Sequence, residues 1–242
     1  TALVLTLKDY SNLLKRRLLE LTEAIDALSA RFENQRIMGR TRMQAAMPIA
    51  ARERFLTWSL PLDDHRQRLS QIRPRIERLQ LGGAAGDRAA LPHAESLGVE
   101  VALRVGLANP PKAWHAMRDP VVDYAGLLSL ISGTLGKMGQ DICLMAQQGV
   151  DEIALDNAGG SSAMPHKQNP VLAELLVTLA RFNATQVSAM HQGLVHEQER
   201  SGAAWALEWM VLPQMAQATA RSLAASTEIC QAISHVGSKD IR

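Results

Sequence analysis

Apolar residues recur at intervals of three and four along several long stretches of this 242-residue chain, and that spacing places side chains on one face of an α-helix. The pattern covers residues 7–32, 49–79, 121–149 and 171–190. Within 49–79, two prolines each indicate a break, a kink or a helix start. A continuous helix over 121–149 would be roughly 40 Å long, which is long for a single globular domain. The spacing therefore predicts an all-α fold built as a bundle of long helices.

The composition fits a helical protein and argues against several functional classes. Aromatic residues make up 4% of the chain and hydrophobic residues 47%, so the core must rely on small and aliphatic side chains that favour helices. The formal charge of +2 comes without basic runs, and no apolar run is long enough to span a bilayer. We therefore expect no nucleic-acid partner and no membrane insertion. Cys143 and Cys230 lack metal-ligand spacing, which predicts reduced, buried thiols in a cytoplasmic protein.

Glycines mark two stretches where the backbone is expected to approach a neighbour closely. The first is 79–91, which contains GGAAG and is too rich in glycine for a plain helix. The second is the 121–149 pattern, in which glycines at 126, 133, 136 and 139 alternate with apolar residues. Glycines at such positions predict tight packing of this helix against its neighbours in the bundle.

Residues 156–170, DNAGGSSAMPHKQNP, separate two of the helical patterns. The two glycines and two serines at 159–162 do not suit a helix interior, so this segment is predicted to be a loop. Pro170 suits the first position of a new helix. The loop brings serine hydroxyls, Lys167 and Asn169 beside a helix N-terminus, where free N–H groups favour an anion. The pattern predicts an anion site with proton-transfer groups; the alternative is a flexible connector without chemistry.

The string GSSAMPHKQNP at 160–170 resembles the signature loop of the fumarase/aspartase superfamily, GSSxMPxKxNP, at every fixed position. The resemblance implies that Ser161 is the base that removes a proton from a carbon beside a carboxylate. It makes Lys167 a second catalytic candidate, and which of the two carries the proton stays open. The loop residues implied to bind the substrate are Ser162, Met164 and Asn169.

A second region, GRTRMQAAMP at 39–48, begins with a glycine that breaks the first helical pattern and continues with Thr41 as a helix cap. It resembles the superfamily motif GRTHxQxAxP, in which the histidine helps in substrate binding or proton transfer. Here Arg42 occupies the histidine position. Arginine does not release its proton near neutral pH, but it can form two hydrogen bonds to one carboxylate. By this resemblance Thr41 and Arg42 bind substrate; otherwise they are a surface capping pair.

Three further blocks resemble the cycloisomerase branch of that superfamily: GGAAG within 79–91, PPKAWHAMRDP at 110–120 and HEQERSGAAWALEW at 196–209. The resemblance implies that His115, Arg118 and Arg200 face the substrate. Each has a structural alternative. A histidine beside a tryptophan is commonly part of the packing, and Glu199 with Arg200 could be a surface pair worth less than about 1 kcal/mol.

The resemblance extends over residues 39–209 and implies a fold, an assembly and a reaction. The fold is the long-helix bundle of the L-aspartase type, assembled as a homotetramer whose active sites are each shared by three subunits. Members are longer at both ends, so residues 1–242 are expected to be a fragment of one helical domain, without the N-terminal region and the small C-terminal domain. The implied reaction interconverts 3-carboxy-cis,cis-muconate and 4-carboxymuconolactone in protocatechuate breakdown, within the β-ketoadipate pathway of aromatic compound degradation. It needs no metal or organic cofactor, because the carboxylate of this small polycarboxylate substrate accepts the electrons.

Two alternatives stay open at this point. The first is a lyase of the same superfamily, such as adenylosuccinate or argininosuccinate lyase, which would release fumarate. The pattern of tryptophans at 205 and 209 speaks against it, since adenylosuccinate lyases have a serine-rich continuation there. The second is a noncatalytic helical scaffold, which would turn over no substrate.

Overall fold

The structure is a computed structural model that describes residues 1–88, 91–156, 158–160, 164 and 167–238. Within those residues it contains six α-helices and four short β-strands. In chain order the elements are α1 (Ala2–Arg31), β1 (Arg36–Thr41), β2 (Gln44–Ala50), α2 (Ala51–Ile76), α3 (Ala94–Val105), α4 (Asp119–Met145), β3 (Ile153–Leu155), α5 (Val171–Gln192), α6 (Ala203–Ala232) and β4 (Ile233–Val236).

Helices α1, α2, α4, α5 and α6 pack side by side, and α4 is the central element. Helix α4 contacts α2, α5 and α6, while α1 packs against α2 and α6. The apolar stripe predicted for residues 7–32 forms the buried side of α1, and its leucines are almost inaccessible to water, namely Leu7, Leu14, Leu18, Leu21 and Leu28. These contacts confirm the predicted all-α bundle of long helices.

The closest helix packing joins α4 to α5 and depends on two glycines. A Cβ atom added to Gly139 would lie 2.5 Å from the carbonyl oxygen of Ala173, and one added to Gly136 would collide with the Cβ of Ala180. The predicted close approach is confirmed at these two positions. The two earlier glycines of α4 have no such neighbour within 4 Å, so their side of the helix is open in this chain.

Two small antiparallel sheets, β1–β2 and β3–β4, interrupt the helical pattern. The prediction that Thr41 caps a helix is wrong, because Thr41 is the last residue of β1 and pairs with Gln44 across a hairpin. Residues 36–50 satisfy their backbone N–H and C=O groups across this hairpin, so no side-chain cap is needed there. Helix α2 begins only after the hairpin, at Ala51.

Prolines change the helices less than the sequence indicates. Pro61 and Pro74 both lie inside α2, and neither ends the helix. Pro170 is the N-cap residue of α5 rather than its first helical residue. The helix boundaries therefore follow the apolar pattern more closely than they follow the prolines.

One end of the bundle holds the hairpin β1–β2, the sheet β3–β4 and the described residues of 156–170; we call it the loop end. Helices α1, α4 and α6 finish here and α5 begins here. Gly237, which follows β4, donates its N–H to the carbonyl of Glu152 beside β3, and Ser238 donates to the carbonyl of Arg36 in β1. These bonds join both sheets into one layer across the bundle end.

The opposite end of the bundle holds Trp114, Trp205 and Trp209; we call it the tryptophan end. Trp114 is buried and donates its indole N–H to the carbonyl of Leu79 at 3.1 Å. A Cβ atom added to Gly82 would lie 2.8 Å from the Cβ of Ala113. The GGAAG stretch therefore approaches its neighbour closely, as predicted.

The packing at Gly136 yields a direct test. We expect Gly136→Ala to destabilise the protein by about 1–3 kcal/mol, because the new methyl group overfills the α4–α5 contact. Ala180→Gly alone should cost about 1 kcal/mol through helix propensity. Urea unfolding of the single and double variants of the full-length protein measures the coupling between the two sites. Steric contact predicts that the double variant is more stable than the sum of the single effects; strict additivity would contradict it.

Candidate functional site

Two backbone hydrogen bonds close the base of the signature loop. Gly159 and Asn169 exchange N–H and carbonyl bonds in both directions, each at 2.9 Å. A Cβ atom on Gly159 would lie 2.8 Å from a methyl group of Val171, so glycine lets the two ends of the loop meet. Ser161 and Ser162, the predicted base and its neighbour, lie outside the described residues.

A cavity of about 790 Å³ lies at the end of α4, beside residues 167–170. Two predicted residues, Lys167 and Asn169, line it together. Lys167 is exposed, and no residue in the described part of the chain pairs with its ammonium group. An ammonium, a side-chain amide and a helix N-terminus on one cavity wall suit a carboxylate ligand. The wall also carries side chains that can accept or donate protons, namely Asp151, Glu174 and His235.

The hairpin β1–β2 presents Thr41 and Arg42 at its tip, also at the loop end. Arg42 and Met43 form a two-residue turn in which both residues have positive φ, 48° and 66°. Such turns are usually made by asparagine and glycine, and other residues adopt this conformation at a steric cost. Both residues are exposed, with Met43 74% accessible. The turn therefore holds the Arg42 guanidinium in solvent, within reach of an anion or a neighbouring molecule.

A buried carboxylate links the hairpin to the segment that leads into the loop. Glu152 is 1% exposed and accepts hydrogen bonds from the N–H of Met38 at 3.0 Å and from Arg40 at 3.2 Å. Its own backbone N–H donates to the carbonyl of Met145 at the end of α4. Thr41 and Arg42 are thereby fixed relative to the loop base.

The tryptophan end contains the other predicted residues, and Arg118 is the most constrained of them. Its guanidinium donates two hydrogen bonds to Glu208, at 2.8 and 2.5 Å, and lies over the ring of Trp114. Arg118 and Glu208 are only 5% and 3% exposed. The pair joins the start of α4 to α6, which gives Arg118 a structural role. Its predicted contact with substrate stays a prediction.

His115 and Arg200 lie near Arg118. The ring of His115 meets that of Trp205 edge-on, with centroids 4.6 Å apart. Burial lowers the pKa of His115, and the positive charges of Arg200 and Arg118 lower it further. Burial and then Arg118 likewise lower the pKa of His196. This end therefore combines neutral imidazoles, cationic guanidinium groups and aromatic rings.

Among the predicted site residues that the structure describes, two groups are separated by the length of α4. Arg118 is the N-cap residue of this helix, whereas Cys143 to Ala146 at its other end line the cavity. Helix α4 has 27 residues, which corresponds to about 40 Å. One copy of the chain therefore does not bring His115, Arg118 and Arg200 to the signature loop.

Two further residues of the loop end are missed by the apolar pattern and by the motif strings. His235 belongs to β4, a strand too short to show a clear alternation, and it reaches the cavity only because β4 pairs with β3. Glu152 is recognisable from the sequence only as a carboxylate near the end of a helix, and its link to the hairpin depends on tertiary structure. A histidine directly after the last helical pattern is the one sequence signal that could have drawn attention to this strand.

Other kinds of site receive no support from the part of the chain that the structure describes. No three His, Cys, Asp or Glu side chains in that part are grouped so that they could hold a metal ion. None of its helices combines the length and the apolar character needed to cross a membrane. Both cysteines are free, Cys230 buried and Cys143 half-buried.

Comparison with known proteins finds one matching family model and several similar relatives. A family model described as lyase matches residues 1–188. The 3-carboxy-cis,cis-muconate cycloisomerase of Pseudomonas aeruginosa is 38% identical over 220 residues, which are 89% of this chain and 48% of that protein. The enzyme of the same name from Acinetobacter baylyi is 34% identical over 233 residues, 95% of this chain and 52% of the relative.

A solved structure has the same fold as this chain over most of the chain's length. The crystal structure of 3-carboxy-cis,cis-muconate lactonizing enzyme from Pseudomonas putida superposes with a TM-score of 0.91 at 33% identity, covering 97% of this chain and 52% of that one. The chain thus spans about half the length of the curated relatives it matches.

The buried pair at the tryptophan end supports a stability prediction. Glu208→Ala should destabilise the protein by about 3–5 kcal/mol, because it leaves the buried Arg118 without a counter-charge. The matched control is Glu228→Ala, which breaks a largely exposed pair with Arg221 and should cost less than about 1 kcal/mol. Denaturant unfolding of both variants measures the difference, and equal losses would show that Arg118 does not depend on Glu208.

Proposed function

The chain belongs to the lyase family whose model it matches over residues 1–188, and we propose that the full-length protein is a 3-carboxy-cis,cis-muconate cycloisomerase. The observation that carries the proposal is the cavity that Lys167 and Asn169 share at the end of α4. The names of the relatives from Pseudomonas aeruginosa and Acinetobacter baylyi support the same activity. The substrate would be a small tricarboxylate, and the reaction an intramolecular addition.

The chemistry of this addition matches the groups at the loop end. A carboxylate oxygen of the substrate adds to a carbon–carbon double bond, and negative charge develops on the neighbouring carbon and its own carboxylate. A proton then bonds to that carbon, so each turnover to lactone consumes one proton. Lys167 and Asn169 can hold the developing charge, at about 3–4 kcal/mol per well-placed donor. A positioned acid or base contributes roughly 10²- to 10⁴-fold more.

Ser161 is the residue that we propose as the base in the reverse direction, where a proton leaves the carbon beside the carboxylate. Serine is a weak base unless a nearby positive charge favours its ionised form. Lys167, six positions further along the loop, is the cation that could provide this charge. Ser162, Met164 and Asn169 would then contact the substrate, together with Thr41 and Arg42 from a hairpin.

We propose that the active sites are shared between copies in a homotetramer. Support comes from the separation of the two groups of predicted residues by the length of α4, since a substrate of a few ångströms cannot bridge it. Both ends also expose apolar side chains that suit contacts between copies, including Met43 and Met47 at the hairpin and Trp209 and Met210 in α6. Residues His115, Arg118 and Arg200 of one copy would complete the loop-end site of another.

A fumarate-releasing lyase of the same family is the alternative, because eliminating a β-substituent is the reverse of adding an oxygen atom. The cycloisomerase is preferred because the curated relatives quoted above carry that activity in their names. We also propose a cytoplasmic location, which the two free cysteines support, since cytosolic thiols stay reduced.

The proposed reaction can be followed by loss of the diene's ultraviolet absorbance when 3-carboxy-cis,cis-muconate is added to full-length protein. We expect turnover that drops at least about a hundredfold in both Ser161→Ala and Lys167→Ala. The matched control is Lys15→Ala on the exposed side of α1, which should keep the normal rate. Normal rates in both loop variants would show that the roles are wrongly assigned, and an inactive unmodified protein would refute the activity.

Shared sites predict complementation between inactive variants. Lys167→Ala removes a group at the loop end, and Arg200→Ala removes one at the tryptophan end, so each variant alone should lose most of its activity. Unfolding and refolding the two together should restore part of the activity, because mixed assemblies contain sites with both groups intact. Size-exclusion chromatography would verify that mixed assemblies form. If they form without any recovery, both residues act within one copy or not at all.

A further inference from the structure

Helix α6 holds the segment before α4 through two side chains on one of its faces. Trp205 and Glu208 are three residues apart, so they project from the same side of the helix. Glu208 accepts both hydrogen bonds from Arg118. The ring of Trp205 meets the imidazole of His115 with centroids 4.6 Å apart and an interplanar angle of 78°. Helix α6 therefore fixes residues 115 and 118 together.

The contact with Trp205 orients the His115 ring. Histidines in functional sites are commonly oriented by a hydrogen bond from one ring nitrogen. Neither ring nitrogen of His115 has a hydrogen-bond partner in the part of the chain that the structure describes. An edge-on contact between rings is directional, so Trp205 sets the plane of the imidazole. Both ring nitrogens stay available to a ligand.

The imidazole borders open space rather than the packed core. His115 and Trp205 line a cavity of about 250 Å³ at the tryptophan end, together with Trp209. The ring of Trp209 lies against the ring of Trp205, with centroids 4.5 Å apart, and so supports it from one turn further along α6. Both ring nitrogens of His196, by contrast, are buried. Of these two histidines, His115 is the one placed to meet a ligand.

The charges around His115 decide what it can offer to that ligand. Burial lowers its pKa, and Arg200 and Arg118 lower it further, so the ring is uncharged near pH 7. A neutral imidazole has one N–H donor and one acceptor. The arginines supply positive charge, whereas His115 supplies a single hydrogen bond whose strength depends on direction. That bond therefore depends on the orientation that Trp205 imposes.

We propose that Trp205 is a positioning residue that orients His115 to donate one hydrogen bond to a substrate carboxylate. This proposal rests on the proposed cycloisomerase activity and on the sharing of sites between copies, and it deepens both. His115 contacts the substrate in the loop-end site of another copy, and Trp205 acts only through His115. Proton transfer, which we assign to Ser161, does not involve either ring. Loss of Trp205 therefore weakens substrate binding more than it slows the bound substrate.

The first test measures KM and kcat of the full-length protein with 3-carboxy-cis,cis-muconate. Trp205→Leu should raise KM about tenfold, the factor that corresponds to a well-formed contact between rings, and should change kcat by less than about threefold. Trp205→Phe keeps a ring against the imidazole, so its KM should stay within about threefold of normal. His115→Ala should raise KM by at least about tenfold, because the hydrogen bond itself is lost.

The decisive measurement is the double variant of Trp205→Leu and His115→Ala. Its KM should match that of His115→Ala within about twofold, because no imidazole remains to be oriented. The matched control is Leu207→Ala, two residues along α6 and on the opposite side of the helix, where the side chain packs against the core. It should lower stability without changing KM. A purely structural role for Trp205 predicts that the effects of the two variants on KM multiply.

Circular dichroism checks that each variant is folded, and Trp205→Met replaces Trp205→Leu in both tests if the latter is not. If the unmodified protein turns over substrate but removal of the Trp205 ring leaves KM unchanged, or multiplies with His115→Ala, the role of Trp205 is refuted and the cycloisomerase activity stands. If the unmodified protein turns over no substrate, both proposals are refuted.

Discussion

The close packing of α4 against α5 is the constraint on which the remaining architecture depends. Gly136 and Gly139 let the two backbones approach so closely that a methyl group would not fit between them. This contact makes the 27-residue α4 a rigid spacer rather than a helix that could bend to bring its ends together. Lys167 and Asn169 consequently lie at one bundle end, and His115 and Arg118 at the other.

Buried charges fix the geometry at both ends of that spacer. At the tryptophan end, the Arg118–Glu208 pair joins the start of α4 to α6; at the loop end, Glu152 joins β1 to the segment after α4. A buried ion pair contributes little net stability because desolvation of the charges offsets their attraction. Its directional hydrogen bonds nevertheless define one arrangement of the parts that it joins. Both buried carboxylates therefore hold neighbouring elements in one arrangement and contribute little net stability.

The sequence predicts the helices well and the ends of the bundle poorly, for a physical reason. A long helix repeats its apolar spacing many times, so α1, α4 and α5 were predicted within a few residues. Strands β3 and β4 have three and four residues, too few to establish an alternation. The GSSAMPHKQNP string likewise predicts the loop chemistry, and Lys167 and Asn169 do share a cavity. The separation between Arg118 and the loop, and the position of His235, depend on tertiary contacts that no local pattern contains.

The loop end combines two kinds of structure. Lys167 and Asn169 belong to a loop closed at its base by the Gly159–Asn169 backbone pair, whereas His235 belongs to a sheet that is anchored to the bundle. A group that neutralises developing charge must approach the substrate from the side of its carboxylate, and a group that transfers a proton must approach one carbon along one direction. A loop and a sheet can meet two such requirements independently, because each element is fixed by its own backbone hydrogen bonds.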